Sequence, residues 1–228
     1  MINEKTVAAI IPARSGSIGV FGKNFKHIFG RPLIEWSIQA AIQSQYIDDI
    51  IVTTNCKECE EISLSFAHPK IRIVRRPDNL ATAQSRTEDC MIHAVDQMKQ
   101  DYGIVCLLQP TSPARKNNLV DRCLEQMGPK RDSVIAVSAH TPFFWHKGSP
   151  LFSPGNRPMR QDLIKDRDFY FHDSGNFYAV EGSLLKETGR IGRIPVLWEV
   201  SSFEAMQIDT IDDFRAMESL AGVFGGFL

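Results

Sequence analysis

The stretch VAAIIPARSGSIGVFGKN, residues 7 to 24, decides the fold. Residues 7 to 12 form a short apolar run with β-branched side chains, and a loop that contains Gly16, Gly19 and Gly22 follows directly. A short buried strand that leads into a glycine-rich turn is typical of a strand–loop–helix unit. The stretch therefore predicts an α/β domain in which the first strand ends at a loop suited to an anionic ligand.

The same alternation continues along the rest of the chain. Short β-branched runs at 7–12, 49–54, 71–74 and 104–109 are followed by helical stretches at 33–44, 58–67, 87–100 and 119–127, with further strands at 133–138, 175–180 and 195–200 and a last helix at 211–221. Repeated βα alternation predicts one domain, residues 1–228, with a mainly parallel, Rossmann-like sheet sandwiched by helices. Ligands then gather at the carboxyl ends of the strands.

Residues 139–172 interrupt this alternation. The segment contains Phe143, Phe144 and Trp145 among prolines, glycines and charges, without a helical stripe. We interpret it as an inserted arm or small dimerisation subdomain, because aromatic side chains on an arm without its own core often pack against a partner chain. A homodimer is the favoured interpretation, and a loop folded over the chain's own active site is the alternative.

Composition excludes several classes of protein. The formal net charge is -1 and the sequence pI is about 6.6, so we expect neither a nucleic-acid partner nor a polybasic membrane patch. No apolar run approaches the roughly 20 residues that span a bilayer. Five cysteines, an odd number, fit free thiols in a reducing compartment, and we expect a cytoplasmic protein.

The first loop has a glycine spacing of its own. GxxGxxG matches neither the dinucleotide fingerprint nor the phosphate loop of kinases and ATPases. Backbone N–H groups beside the glycines are open to a ligand, and Arg14 and Lys23 lie nine residues apart on the same loop. This arrangement suits a triphosphate, while a plain turn with solvated charges is the alternative.

Longer blocks of sequence carry a resemblance to a known family. PAR-x-GS with KN at 12–24, followed by GRPLIEWSIQAA at 30–41, resembles the opening of the acylneuraminate cytidylyltransferases, or CMP-sialic acid synthetases. Further blocks agree in order: IDDIIVTTN at 47–55, RRPDNLAT at 75–82, LLQPTSPAR at 107–115, RQDL at 160–163, SGNFYAV at 174–180 and QIDTIDDF at 207–214. The resemblance implies a nucleotide-diphospho-sugar transferase-like fold, a dimer built through the arm, and Mg²⁺ as cofactor. It also implies that CTP reacts with a nine-carbon acidic sugar to give CMP-sugar and pyrophosphate.

The resemblance implies roles for a set of nucleotide-binding residues. These are Arg14, Gly16, Ser17, Lys23, Asn24, Arg76, Ser85 and Thr87. Arg14 and Lys23 would bind phosphates and, with Asp209, count as catalytic. Asn24, Arg76, Ser85 and Thr87 would meet the cytosine, although Ser85 or Thr87 is also a plausible helix cap.

The sugar side and the metal site are assigned in the same way. The resemblance implies sugar contacts from Gln109 and Tyr178, and Arg160 of the arm is the candidate ligand for a carboxylate or phosphate, with an ordinary interface residue as the alternative. Asp209 is the implied Mg²⁺ ligand. Asp212 and Asp213 follow it at the start of a helix, where aspartates more often serve as caps.

The chain departs from the family at two charged positions. Ile18 stands where a lysine is usual, and Gln207 replaces the first carboxylate of an Asp-x-Asp pattern. Lost charge at a reaction centre lowers rates, so two hypotheses stay open: an active synthetase and a non-catalytic relative that binds a nucleotide or sugar. The acid itself also stays open, since FHDSGNFY at 171–178 resembles the pseudaminic branch and LLQPTSP the sialic and legionaminic branches.

Other classes of function have less support. A sugar-nucleotide pyrophosphorylase of other base or sugar specificity would share the opening but not the blocks around Arg76 and Gln109. A dehydrogenase needs an acidic residue after its second strand, where this chain has Asn55. Cys56 and Cys59 form a single CxxC with no second pair to complete a zinc site, so we interpret them as incidental thiols.

Overall fold

The structure is a computed structural model that describes residues 2, 4–16, 19–116, 118–141, 143–166 and 169–224. The strands are β1 Val7–Ala13, β2 His27–Ile28, β3 Arg31–Pro32, β4 Asp49–Thr54, β5 Ile71–Arg75, β6 Ile104–Leu107, β7 Ser133–His140, β8 Trp145–His146, β9 Ser149–Pro150, β10 Tyr170–Glu181 and β11 Pro195–Glu199. The helices are α1 Leu33–Gln43, α2 Lys57–Ser65, α3 Thr87–Met98, α4 Leu119–Leu124, α5 Arg160–Asp166, α6 Leu185–Thr188 and α7 Ile211–Phe224. No helix in this described part of the chain is both long and apolar enough to cross a bilayer.

Within the described residues, seven strands form one central sheet in the order β11-β7-β10-β6-β1-β4-β5. The pairs β1–β4, β1–β6, β4–β5 and β11–β7 are parallel, whereas β10 runs antiparallel to both of its neighbours. Helices cover both faces, so the predicted α/β fold with a mainly parallel sheet is confirmed.

The central strand β1 explains why the sheet is covered on both sides. Val7, Ala9 and Ile11 belong to the hydrophobic cluster that includes side chains of α1, α2 and α4, while Ala8 and Ile10 belong to the cluster on the α3 side. Every second side chain of a strand points to the same face. An unbroken apolar run is therefore the pattern of a strand buried on both faces.

Strand order creates an opening at one edge of the sheet. The chain leaves β1 for β4 and β5 on one side and then returns to β6 on the other side of β1. The loops that follow β1 and β6 therefore diverge, and such a switch point is where ligands bind in open α/β sheets. The glycine-rich loop follows β1 at this switch point, and Gln109 lies just after the end of β6.

Strand β10 differs from the sequence-based prediction. It begins at Tyr170 rather than at residue 175, and its register with β7 shifts between Asp173 and Tyr178. Its first four residues are exposed, so no apolar alternation marks them. A strand that is buried only in its second half shows the apolar sequence pattern of a buried strand only in that half.

The segment 139–172 contains the end of β7, the β8–β9 hairpin, α5 and the start of β10. Phe143 and Phe152 contact each other edge to face with ring centroids 5.7 Å apart, and the Arg157 guanidinium lies 4.5 Å from the Phe143 ring centre. Trp145 nevertheless stays 64% exposed. These contacts do not test the predicted role of the arm in dimerisation, which stays a prediction.

Candidate active site

A cleft of about 380 Å³ opens at the carboxyl ends of β1 and β6. It is lined by Pro12, Arg14, Gly19, Lys23, Asn24, Arg76, Leu80, Thr82, Ser85, Thr87, Cys90, Gln109, Pro110, Thr111 and Asp209. The structure thus brings together most of the site residues that the sequence predicts, from four separate parts of the chain: 12–24, 76–90, 109–111 and Asp209. Gly16 is exposed and does not line this cleft, and Ser17 and Ile18 lie outside the described residues.

The glycine-rich loop is held in place by side chains on either side of it. Asn24 is buried and donates Nδ2–H to the Arg14 carbonyl (3.0 Å), and the Ser15 N–H donates to Asn55 Oδ1 (2.9 Å). Asn55 therefore anchors the loop to the end of β4. This contact gives a structural role to the position where a dehydrogenase would carry an acid.

Gly19 is required for a close approach between the loop and the segment before α7. A Cβ added to Gly19 would lie 2.0 Å from the Asp209 carbonyl oxygen, far inside a normal contact. Val20 packs with Ile208 and Phe214 in one hydrophobic cluster. This packing places Asp209 at the cleft.

Lys23 and Asp209 form an ion pair at the mouth of the cleft. Lys23 Nζ donates to Asp209 Oδ1 (2.9 Å) and to the Ile208 carbonyl (2.8 Å). The Asp209 side chain is 66% exposed, so its second oxygen is open to solvent. The predicted phosphate ligand and the predicted metal ligand are thus in direct contact.

Asp213 is a helix cap, as the sequence predicts. Its Oδ2 accepts from the N–H groups of Asp209 (3.0 Å) and Thr210 (2.7 Å), and its own N–H donates to Thr210 Oγ1 (3.2 Å). This reciprocal pattern is a capping box at the start of α7. It fixes the backbone of Asp209 while leaving the Asp209 carboxylate facing the cleft.

Arg76 contributes a buried positive charge. Its Nη2 donates to the Thr53 carbonyl (2.7 Å) and its Nε to Thr53 Oγ1 (3.4 Å). Burial lowers the pKa of Arg76, and the positive charge of nearby Arg14 acts in the same direction. Among the described residues no carboxylate forms a salt bridge with Arg14 or Arg76, so the cleft favours an anion.

The loop between Arg76 and α3 is organised by its own polar groups. Ser85 Oγ accepts from the Thr82 N–H (3.0 Å) and donates to the Asn79 carbonyl (3.2 Å), and the Cys90 thiol lies 3.3 Å from the Leu80 carbonyl oxygen. The capping alternative for Ser85 and Thr87 is wrong, because Arg86 is the N-cap of α3 and no side chain caps it.

Gln109 lines the cleft at the end of β6. Its carbonyl oxygen accepts from Arg115 Nη2 (2.7 Å) and from Ser37 Oγ (3.2 Å). Arg115 is buried and also donates to the Asn176 carbonyl (3.0 Å) and to Ser37 Oγ (2.9 Å). Burial lowers the pKa of the Arg115 guanidinium to about 9.

Tyr178 and Arg160 do not join the cleft. Tyr178 is 3% exposed, its hydroxyl hydrogen-bonds to Asp173, and the Arg190 guanidinium lies 4.7 Å from its ring centre. Burial is the main cause that raises the pKa of Tyr178. Arg160 is exposed at the start of α5 and is not a lining residue. Their roles in sugar binding stay predictions without support from this geometry.

Several residues that line the cleft are not predicted from the sequence, and Cys90 is the clearest of them. Cys90 follows Thr87 by three residues on α3, so helical spacing places both on one face.

Cys56 and Cys59 lie away from the cleft, and burial raises the pKa of both thiols. No group of three or more His, Cys, Asp or Glu side chains suited to a metal occurs among the residues that the structure describes.

Solved structures share the fold of this chain. CMP-2-keto-3-deoxy-manno-octonic acid synthetase complexed with CTP superposes with a TM-score of 0.70 at 18% identity, over 96% of this chain and 99% of that one. The 4-diphosphocytidyl-2C-methyl-D-erythritol synthase of Anaerococcus prevotii gives 0.67 at 16% identity, over 96% of both chains. At such identities the likeness concerns the fold alone.

Sequence relatives lie closer. The CMP-N,N'-diacetyllegionaminic acid synthase of Legionella pneumophila is 30% identical over 188 residues, 81% of this chain and 78% of that protein. The N-acylneuraminate cytidylyltransferase of Escherichia coli is 38% identical over 58% of this chain, and N-acylneuraminate cytidylyltransferase A of Danio rerio 26% over 97%. The chain spans 31% and 52% of the lengths of these two proteins.

The family model described as cytidylyltransferase matches residues 8–141, which include the glycine-rich loop, the Arg76 loop and Gln109. These are the parts of the chain that form most of the cleft. This protein belongs to the cytidylyltransferase family.

Proposed function

We propose that this chain transfers CMP from CTP to a nine-carbon acidic sugar, a nonulosonic acid, and releases pyrophosphate. The observation that carries the proposal is one cleft with Arg14, Lys23 and Arg76 on one side and Gln109 on the other. Three cations near a glycine-rich loop suit a triphosphate. Relatives named as legionaminic acid and acylneuraminate enzymes support an acidic sugar as the second substrate.

The reaction forms one bond and breaks another at the α-phosphorus of CTP. A sugar hydroxyl oxygen attacks this phosphorus and loses its proton, while the bond to the bridging oxygen of pyrophosphate breaks. Negative charge then grows on the departing pyrophosphate. Arg14 and Lys23 neutralise that charge, while Arg76 and the Ser85 loop hold the nucleoside and Gln109 orients the sugar.

Magnesium is part of the proposal, and Asp209 is the residue that would hold it. Its carboxylate is exposed, borders the cleft and has one oxygen outside the Lys23 ion pair. Mg²⁺ is commonly bound by one or two carboxylates together with substrate phosphates and water, so a single aspartate fits. The ion would supply further positive charge at the phosphates, and Lys23 would transfer its hydrogen bond from Asp209 to a phosphate oxygen.

We also propose a homodimer in the cytoplasm. Support for the dimer comes from the 139–172 segment, where Trp145 and Tyr170 are 64% and 47% exposed. Five free cysteines fit a reducing compartment. Sedimentation at micromolar concentration tests the dimer, and Trp145→Ser should shift the equilibrium toward monomer if this surface forms the interface.

The proposed reaction is tested by CTP-dependent pyrophosphate release with a panel of sugars. The panel contains N-acetylneuraminic, legionaminic, pseudaminic and 2-keto-3-deoxy-octonic acids, each with CTP, UTP, GTP and ATP. We expect turnover with CTP and at least one nine-carbon acid. Thermal stabilisation by CTP without turnover on any acid would instead identify a non-catalytic relative.

A further inference from the structure

Two glutamine side chains, those of Gln109 and Gln207, lie close to Gly175. It lies in the irregular part of β10 with φ +67, a left-handed conformation that favours glycine. A Cβ at this position would lie 2.2 Å from Gln207 Nε2 and 2.7 Å from Gln109 Oε1. The missing side chain therefore leaves the space that both carboxamides occupy.

Gln207 is fixed on this spot by its own contacts. Its Nε2 donates to the Ser174 carbonyl (3.0 Å), and the following N–H, of Ile208, donates to the Thr111 carbonyl (2.8 Å). A carboxylate at position 207 would face the Ser174 carbonyl with a second acceptor, whereas an amide supplies the donor. The residue type thus matches the contact.

Arg115 holds Gln109 from the opposite direction. Its guanidinium bonds to the carbonyls of Gln109 and Asn176 and to Ser37 Oγ, and so joins β6, β10 and α1 behind the cleft. No carboxylate forms a salt bridge with Arg115 among the described residues. A buried cation that has only neutral partners is costly, and one of these partners is the main chain of Gln109, which lines the cleft.

We propose that Gln207 and Arg115 are positioning residues that pre-set Gln109 for the acceptor sugar. Gln207 restricts the side chain of Gln109, and Arg115 fixes its main chain. The rotamer freedom of Gln109 is then lost on folding rather than on sugar binding. The carboxamide that is held in this way recognises a hydroxyl or acylamino group of the sugar. What Gln109 contacts rests on the proposed function, whereas its restraint does not.

Kinetics of Gln207 variants test the proposal. Gln207→Ala removes the donor, and Gln207→Glu keeps the shape but replaces the donor with an acceptor. We expect each to raise the KM for the sugar about tenfold, as for one lost hydrogen bond, with less than about a twofold change in the Kd for CTP. Gln126→Ala is the matched control, because Gln126 Nε2 also donates to a main-chain carbonyl, that of Arg122 (3.3 Å), but does not line the cleft.

A purely structural role for Gln207 would change the melting temperature but leave the sugar KM as in the control, and that result would overturn the proposal. Arg115→Lys should raise the sugar KM in the same direction. Because Arg115 is buried, Ser37→Ala, which removes one of its partners, is a milder second variant and should raise the sugar KM in the same direction.

Crystal structures of the wild type and of Gln207→Ala without ligands give a readout that does not depend on turnover. We expect one Gln109 rotamer in the wild type and at least two in the variant. A single unchanged rotamer in Gln207→Ala would refute the restraint. If the wild type shows no turnover on any sugar, the proposed function fails, while the rotamer comparison still decides the inference.

Discussion

At the scale of single residues, the Lys23–Asp209 ion pair determines how the cleft meets its ligands. The contact of Lys23 Nζ with Asp209 Oδ1, 2.9 Å, sets two opposite charges against each other at the mouth of the cleft. On the proposed roles, a phosphate bound by Lys23 would free the Asp209 carboxylate for Mg²⁺. Nucleotide and metal should therefore bind together, and neither should bind as tightly alone.

Lys23→Met removes one of the three cations and leaves Asp209 without its partner. We expect kcat/KM to fall by about two to three orders of magnitude, as for other groups that stabilise transition-state charge. Steady-state kinetics measure the change. Lys26→Met is the control, because Lys26 is an exposed lysine on the same loop that lies over the Phe214 ring. Equal kinetics for the two variants would remove Lys23 from the mechanism.

Gly19→Ala tests the close approach of the loop to Asp209. The added Cβ would lie 2.0 Å from the Asp209 carbonyl, so the loop and the aspartate must move apart. Displacements of this size cost about 10²-fold in rate, and we expect that loss in kcat/KM. Gly128→Ala is the matched control, because a Cβ there meets nothing within 4 Å. Full activity of Gly19→Ala would show that the approach has no role.

At the scale of elements, the parts that could be predicted from sequence are those with one repeating pattern. β1 is an unbroken apolar run that is buried except at half-buried Pro12, β4 is buried throughout around its apolar centre at 50–52, and α3 begins at the predicted Thr87. The four-residue helix α6 and the exposed start of β10 carry no periodicity to detect. A local sequence pattern predicts a strand or helix well only where burial is uniform along that element.

The buried half of β10 should carry much of the stability of the sheet. Phe177 is fully buried in the cluster that includes side chains of α1, α2 and α4. Phe177→Ala should lower the free energy of unfolding by about 3–5 kcal/mol, while Leu64→Ala on the exposed side of α2 should change it by about 0.5 kcal/mol or less. Urea denaturation measures both. Similar values for the two variants would contradict the assigned core.

At the scale of the whole molecule, strand order explains how much of the site could be predicted. Arg14, Arg76 and Gln109 each follow the carboxyl end of a strand, and a parallel sheet gathers such residues at one edge. Tyr178 lies inside β10, where its ring is buried beside Arg190, and no local pattern distinguishes that face. The placement of Gln109 and Gln207 beside Gly175 depends on the irregular part of β10, which only the folded chain reveals.

The central claim is that this cleft binds the triphosphate and base of CTP. Isothermal titration calorimetry of the wild-type chain with CTP, UTP, GTP, ATP and NAD, each with and without Mg²⁺, tests it most directly. The account predicts one site per chain that prefers CTP, with tighter binding in the presence of Mg²⁺ and weaker binding in Lys23→Met. Equal affinity for all triphosphates, or a preference for NAD, would contradict it.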